Sequence, residues 1–291
     1  MTAAATGTAA AQLRRLLAEP GPAVMAPGCH DAVTARLAEA EGYRVAYVSG
    51  ALVAALELGV PDLGIAGATD ILTVVQRVVA ATGLPVVADA DAGFGEAIHV
   101  AHTVRRYEQR GLAGLHVEDQ VMPKRCGHMS GKVIAPLPTA AARVRAAVRA
   151  RDELVVIART DALSVTGLAD VLTRVRAYAD EGADAVFVEG ITTVDQIAAV
   201  SEAARQLPLV ISLSEAGGEP ALRVADLDPA GVRLVIFPVS GVLAALEAER
   251  RVLRALRDQG APTAVARLPW SELNTVLGLE AMTDFELAVN E

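Results

Sequence analysis

Between Gly114 and Lys132 the chain reads G-L-H-V-E-D-Q-V-M-P-K-R-C-G-H-M-S-G-K. A short apolar run, Leu115–Val117, ends in two carboxylates, Glu118 and Asp119, and a Gly/Pro-punctuated stretch then carries Lys124, Arg125, Cys126, His128 and Lys132. A thiol beside Lys124, Arg125 and His128 has the electropositive surroundings that lower a thiol pKa, and such a thiol can move protons. Glycines at 127 and 131 give the stretch the mobility of a lid. Of the 26 basic residues in the chain, only Lys124 and Lys132 are lysines, and both fall here. Lysine and arginine differ in charge shape and hydration, so a loop that selects lysine twice is read as a working loop rather than an incidental solvated one.

Acids recur elsewhere with a pattern. Asp31, Asp89, Asp91, Asp161, Glu189 and Glu215 all lie at or just after the end of a short apolar run, as Glu118 and Asp119 do. Carboxylates converging on one place repel each other and raise their own pKa values unless neutralised. A hard divalent cation answers that need, Mg²⁺ with Mn²⁺ as its alternative, held by one or two carboxylates plus waters and substrate. Helix capping competes with this reading, evenly for Asp31, Asp161 and Ser214 and less so for Asp89, Asp91 and Glu118. The remaining groups suit a small anion. Ser49-Gly50-Ala51, at a strand-to-loop turn, offers a hydroxyl and backbone N–H groups to a carboxylate, and Arg159 offers a planar fork. Cys29 reads as a packing residue, and His99, His102 and His116 as structural.

These residues need a frame that brings strand ends together. Eight apolar runs are present: Ala23–Ala26, Val45–Val48, Pro85–Ala88, Leu115–Val117, Leu154–Ala158, Ala185–Val188, Leu209–Leu213 and Val232–Phe237. Helical spacing fills most of the gaps, over Asp31–Glu41, Asp70–Thr82, Ile98–Arg110, Thr139–Arg151, Leu168–Gly182 and Thr193–Gln206. Strands buried on both faces and alternating with helices imply a parallel sheet. Eight such units in roughly 250 residues predict a (β/α)8 TIM-type barrel, whose site lies at the carboxyl ends of its strands. An open doubly wound sheet fits less well, because no G-x-G-x-x-G follows the first run. The barrel domain is expected to span residues 1–260, its first part a short tail and a helix over Gln12–Glu19. A helical extension over 261–291 follows, with helices starting near Trp270 and at Thr283-Asp284.

Composition narrows the partners. A formal charge of −9 and a pI near 5.1 argue against nucleic acid and anionic membrane. Two cysteines among 291 residues are too few for a disulfide framework. No apolar run reaches the roughly 18 residues of a membrane span, and the first residues lack a basic segment followed by an apolar one. The expectation is a soluble cytoplasmic protein.

V-S-G-A at 48–51, P-D-L-G at 61–64, D-A-D-A-G-F-G at 89–95, E-D-Q at 118–120, K-R-C-G-H at 124–128 and A-R-T-D-A at 158–162 together resemble the isocitrate lyase/phosphoenolpyruvate mutase superfamily. The likeness is greatest to its short branch of 2-methylisocitrate lyases, dimethylmalate lyases and carboxyphosphonoenolpyruvate mutases. The resemblance runs from about Pro22 to Arg251. It implies a Mg²⁺-dependent barrel, usually a homotetramer whose last helices swap between subunits, acting on a small carboxylate.

Carried over by position, the resemblance implies that Asp89 holds the metal, with Asp91 and Glu118 reaching it through water. Ser49, Gly50 and Ala51 would grip the carboxylate of a 2-oxo acid, with Arg159 assisting and Asp62 lining the pocket. Cys126 would be the general acid, Lys124 and His128 would position it and the second carboxylate, and Tyr47 would be a partner for the substrate's hydroxyl proton. Glu189, Ser212, Ser214 and Glu215 would meet the substrate's second half. The activity implied is cleavage of a C–C bond in a methylisocitrate-like or alkylmalate-like acid to pyruvate or a similar 2-oxo acid. Its alternatives are P–C bond chemistry and oxaloacetate cleavage.

Two departures from the methylisocitrate lyases stand out: S-G-A-L in place of S-G-G-G, and S-L-S-E in place of an N-I-T-E-like segment. Both put the second half of the substrate in doubt. Pro238 matches the lyases rather than the oxaloacetate hydrolases. A non-catalytic, ligand-sensing barrel is the reading from another class, and the intact acid set and lid thiol weigh against it.

Overall fold

The short β-branched runs become strands because each is covered by apolar helices on its outer face and by the side chains of the other strands on its inner face, and a strand so covered must itself be apolar throughout. The computed structural model describes residues 7–227, 231–262 and 265–290. In chain order it contains α1 (Ala9–Ala18), β1 (Val24–Pro27), α2 (Ala32–Ala40), β2 (Ala46–Val48), α3 (Gly50–Glu57), α4 (Ala68–Ala81) and β3 (Val86–Asp89). Then come α5 (Ala97–Glu108), β4 (Gly114–Val117), α6 (Leu137–Ala150), β5 (Val155–Thr160), α7 (Leu168–Asp180), β6 (Ala185–Val188) and α8 (Val194–Ala203). The chain ends with β7 (Leu209–Ser212), α9 (Val224–Leu227), β8 (Val232–Phe237), α10 (Ser240–Gln259), α11 (Trp270–Val276) and α12 (Leu279–Asn290).

All eight strands are parallel, in the order β1-β8-β7-β6-β5-β4-β3-β2. The two edge strands meet just past β1, where Gly28 bridges to Tyr47 and the Cys29 N–H donates to the Tyr47 carbonyl at 2.7 Å. The sheet is therefore a nearly closed (β/α)8 TIM-type barrel.

Inward-facing Val24, Ala26, Val87, Val155, Ile157, Phe187, Val210, Leu234 and Ile236 fill its interior, and Leu13, Leu16 and Leu17 of α1 join the same cluster. The i, i+3, i+4 spacing of those leucines puts them on one face of α1. That helix lies across the amino-terminal ends of the strands: Leu13 abuts Gly114 so closely that a Cβ there would stand 2.8 Å from its Cδ2. Arg14 pairs with Asp184 just ahead of β6. With this end plugged, the mouth at the carboxyl ends of the strands is where polar groups gather.

Two expectations shift. Ser49-Gly50-Ala51 does not turn into a loop but starts α3, a helix whose run of Gly, Ala and Leu shows no amphipathic alternation by which to find it. The last helix begins at Leu279, ahead of Thr283. α10 runs 20 residues and stops at Gly260, whose φ of 68° suits a residue without a Cβ. Beyond it, α11 starts at Trp270 and docks against α2, where Arg36 donates to the Leu277 carbonyl at 3.2 Å. α11 and α12 leave Trp270, Met282, Phe285 and Leu287 exposed.

Because Leu13 is fully buried at the plugged end, Leu13→Ala should lower unfolding stability by about 2–5 kcal/mol. A urea titration reads this as a lower midpoint at unchanged slope. An unshifted midpoint would show that α1 does not close the barrel.

Candidate active site

Side chains at the mouth are placed by where each strand stops. β2 stops at Val48, and Ser49 becomes the N-cap of α3 without its hydroxyl bonding the helix. That hydroxyl, with the N–H groups of α3's first turn, is left available for an anion. Gly50 does not line the cleft itself; a Cβ there would lie 2.9 Å from Asp89 Oδ2, so glycine lets the helix end approach the carboxylate. β3 stops at Asp89, whose Oδ1 accepts the Asp91 N–H at 2.9 Å. Asp91 takes a φ of 45° in the left-handed region, and its carboxylate stands 2.8 Å from Lys124 Nζ. Lys124 also meets Asp62 at 2.5 Å. Burial works against the ammonium, but Asp91, Asp89, Glu118 and Asp62 outweigh it and hold Lys124 well above the usual lysine range.

β4 and β5 supply the next layer. Arg159 reaches across to Glu118 at 3.4 Å, to Glu189 at 3.3 Å and, through two nitrogens, to Asp161 at 2.9 and 3.1 Å. Its guanidinium lies over the Phe187 ring, 5.0 Å from the centroid. Burial opposes ionisation of Asp161, but Arg159 and Lys132 prevail and hold it below the usual range. Glu118 goes the other way: burial pushes it well above, despite Arg159, and its Oε1 has no hydrogen-bond partner. Asp119 belongs to a layer behind the cleft. It accepts from the hydroxyls of Thr160 at 2.6 Å and Tyr178 at 2.8 Å and from the Asp161 N–H at 3.0 Å.

His116, which the sequence presents as a strand filler, links two site residues. Its Nε2 lies 2.8 Å from the Tyr47 hydroxyl and its Nδ1 3.4 Å from Asp89 Oδ1. Burial lowers His116 to about 4, against the pull of Asp89. Nδ1 has no hydrogen-bond partner, and the direction of the Tyr47–Nε2 hydrogen bond follows the tautomer of the ring. Asp89 is pushed up by burial and drawn down to about 2 by His116, Lys124 and Arg159. Since His116 is neutral at pH 7, Lys124 and Arg159 are what keep Asp89 ionised there.

The loop over the mouth brings in the thiol. Gln120 clamps it by accepting from the Arg125 N–H and donating to the Arg125 carbonyl, at 3.0 and 2.9 Å, and the Cys126 N–H donates to the Asp62 carbonyl at 3.2 Å. The thiol does not have the lowered pKa that its sequence neighbours suggest. Burial pushes Cys126 up, and Asp62 adds to this, because the Lys124 charge is already taken by Asp62 and Asp91. His128 faces Glu189 at 3.8 Å.

One cleft is lined by Tyr47, Ser49, Ala51, Asp62, Asp89, Lys124, Cys126, His128, Arg159, Glu189, Ser212 and Ser214. Asp91 and Glu118 lie immediately behind this lining, both buried. Glu215 does not face the cleft; its carboxylate accepts from Ser240 Oγ at 2.7 and 2.9 Å. Asp31 is a helix cap, bonded to the Thr34 N–H at 2.7 Å, whereas Ser214 both lines the cleft and caps the turn at Ala216. Phe187, Ala216, Ile236, Pro238 and Val239 complete the wall. Of these apolar groups only Pro238 stood out in the sequence, since a side chain that merely shapes a wall has no reactive group to notice.

Comparison with known proteins gives a consistent picture. Residues 13–257 match the family model described as phosphoenolpyruvate phosphomutase. The 2,3-dimethylmalate lyase of Eubacterium barkeri is 36% identical over 281 residues, covering 95% of this chain and 96% of that one. The 2-methylisocitrate lyase of Salmonella typhimurium is 41% identical over 250 residues, covering 85% and 84%. Among solved structures, oxaloacetate acetylhydrolase in complex with 3,3-difluorooxalacetate superposes with a TM-score of 0.91 at 36% identity, covering 97% of each chain. Phosphonopyruvate hydrolase in complex with oxalate and Mg²⁺ gives 0.85 at 28% identity, covering 98% of this chain and all of that one.

The raised Cys126 thiol makes a directional prediction. Thiolate is scarce at neutral pH, so alkylation by iodoacetamide should be slow at pH 7 and climb with pH to a half-rise above the ordinary thiol range. Cys29, pushed up to about 12 by burial, should trail it. A half-rise below pH 7 for Cys126, read by mass spectrometry, would overturn the assignment.

Proposed function

The chain belongs to the phosphoenolpyruvate mutase/isocitrate lyase superfamily, and on that premise we propose that it is a Mg²⁺-dependent lyase. It splits a C–C bond of a substituted 2-hydroxy dicarboxylate, releasing a 2-oxo acid and a second carboxylate. The observation that carries this reading is the convergence on one cleft of an anion-gripping helix start (Ser49, Ala51), an ionised Asp89, Arg159 and a protonated thiol, Cys126.

The donor set fits a hard cation. Among the described residues, seven acidic side chains are buried (Asp62, Asp89, Asp91, Glu118, Asp119, Asp161, Glu189) against five basic ones (Lys124, Lys132, Arg143, Arg159, Arg174), an excess of two acidic groups. Burial and neighbouring Asp89 push Asp91 up to about 7, and Glu118 keeps a partnerless oxygen. Among the described residues no group of three His, Cys, Asp or Glu side chains forms a cage. That suits Mg²⁺, which takes one or two carboxylates and fills its sphere with water and substrate oxygens. Asp89 would hold it directly, and Asp91 and Glu118 through water. When bound, the ion polarises the substrate oxygens and stabilises charge on them as the hydroxyl becomes a carbonyl.

The chain's own residues do the rest. The Ser49 hydroxyl and the first-turn N–H groups of α3 bind the 2-carboxylate, and Arg159 steadies the oxygen beside it. Tyr47, whose own hydrogen is engaged by His116, accepts the substrate hydroxyl's hydrogen bond. That proton passes to Tyr47 as Tyr47 hands its own to His116 Nε2, the C2–C3 bond breaks, and its electron pair passes to C3 and into the adjacent carboxylate. The Cys126 thiol then protonates C3. A raised pKa keeps that thiol in the acid form this step consumes.

The far wall bears on the second half of the substrate. Lys124 and Arg159 are already matched by acids and His128 faces Glu189, so the rest of the far wall is Ser212, Ser214, Ala216, Ile236, Pro238 and Val239. Two hydroxyls and apolar surface suit an alkyl group better than a third carboxylate, so alkylmalates are the favoured substrate class.

Three outcomes are expected from a pyruvate-release assay coupled to lactate dehydrogenase, run over alkylmalates, methylisocitrate, oxaloacetate and phosphonates. Activity disappears in EDTA and returns with Mg²⁺. Cys126→Ser lowers kcat by about 10²–10⁴-fold. Alkylmalates exceed tricarboxylates in kcat/KM by about tenfold or more. A tricarboxylate preference would refute the far-wall reading alone; silence toward every 2-hydroxy acid, with a P–C product seen by phosphorus NMR, would refute the lyase.

A further inference from the structure

Lys132 has no part in the chemistry above, yet it is one of only two lysines in the chain. Its neighbours Ser130, Gly131 and Val133 are exposed while its own side chain is turned inward, 3% accessible, against a fully buried Asp161. We infer that Lys132 is a positioning residue, a latch that holds the lid tip closed and, through Asp161, fixes the pose of Arg159.

Lys132 Nζ donates to the Gly127 carbonyl, drawing the tip of its own loop together, and to Asp161 Oδ1 at 3.3 Å. The same Asp161 Oδ1 accepts from Arg159 Nη2 at 3.1 Å, and Oδ2 accepts from Nε at 2.9 Å. One carboxylate therefore reads both the lid and the substrate-facing guanidinium. Asp161 cannot drift to follow a moving lid, because its N–H is anchored to Asp119 at 3.0 Å. The tip is seated closely: a Cβ on Gly127 would lie 2.8 Å from Arg159 Nη2 and 2.7 Å from Glu189 Cγ.

A compact ammonium with three radiating donors can satisfy a carbonyl and a carboxylate in this space. A planar guanidinium fork would push the lid away, which gives a physical reason for lysine in a chain that otherwise uses arginine. When the lid lifts, Lys132 leaves Asp161 and exposes Cys126. When it closes, thiol and guanidinium are set together.

The activity readout rests on the lyase reading; the labelling readout does not. In Lys132→Met, which keeps the stem and loses the charge, Cys126 should be alkylated by iodoacetamide at least tenfold faster than in the wild type. The thermal midpoint should fall, since one partner of a buried pair is removed, but Asp161 keeps both hydrogen bonds from Arg159 and the fold should survive. With the substrate identified by the assay, kcat should fall at least tenfold and KM less than threefold, and Lys132→Arg should not restore kcat. A second measurement covers a variant that does not fold: in wild type, acetic anhydride should modify Lys132 no faster than iodoacetamide labels Cys126 under conditions where lid opening limits both. Unchanged Cys126 labelling in Lys132→Met, or Lys132 modified freely while Cys126 stays protected, would overturn the latch and leave the lyase reading untouched.

Discussion

The mouth of this barrel is governed by one electrostatic problem: too many carboxylates are buried too close together to be ionised unaided. Asp89, Asp91, Glu118, Asp161 and Glu189 each end or follow a different strand or share one with a neighbour, and the barrel's closure forces them toward a common axis. Lys124 and Arg159 are the partial answer, each meeting two or three acids. They divide the acids into two populations. Asp89 and Asp161 are held ionised, whereas burial pushes Asp91 and Glu118 up, with Asp89 adding to it for Asp91 and Asp161 for Glu118. The second population is the reservoir of negative charge that a divalent cation would draw on.

Rigidity and mobility are separated by the same device. The base of the barrel is plugged by the leucines of α1, and the layer behind the cleft is knit by Asp119 to Thr160, Tyr178 and Arg174. These contacts are buried and satisfied, so the strand ends do not wander. The loop that carries Cys126 has few buried apolar side chains of its own. It is fastened by polar groups at identifiable points, Gln120 at one flank and Lys132 at the other, while Lys124 sits in the acid cluster. A segment held by a few ionic and hydrogen-bonded contacts can release as a unit, which is what a lid that admits substrate and then excludes water requires.

The raised Cys126 thiol illustrates how sequence proximity can mislead. Lys124, Arg125 and His128 stand beside it in the chain, but Lys124 is turned into the acid cluster and His128 toward Glu189. What surrounds the sulfur is therefore low in free positive charge, and burial decides its pKa. Glu215 is a similar case: it follows β7 directly, yet Ser240 takes its carboxylate away from the cleft. His116 is the reverse, a histidine in an apolar strand that proves to bridge Tyr47 and Asp89.

The linear sequence by itself determined the alternation of strands and helices, the closure into eight units, and the set of reactive residues at strand ends. Each of these rests on local periodicity or on residue type, both written along the chain. The helical start at Ser49, the sharing of Asp161 between Arg159 and Lys132, and the protonation state of Cys126 were decided only by the tertiary structure. These depend on which charges lie within a few ångströms of which others, and on how much water is removed. Residues 41 or 29 positions apart, such as Thr160 from Asp119 or Asp161 from Lys132, acquire such neighbours only when the barrel closes.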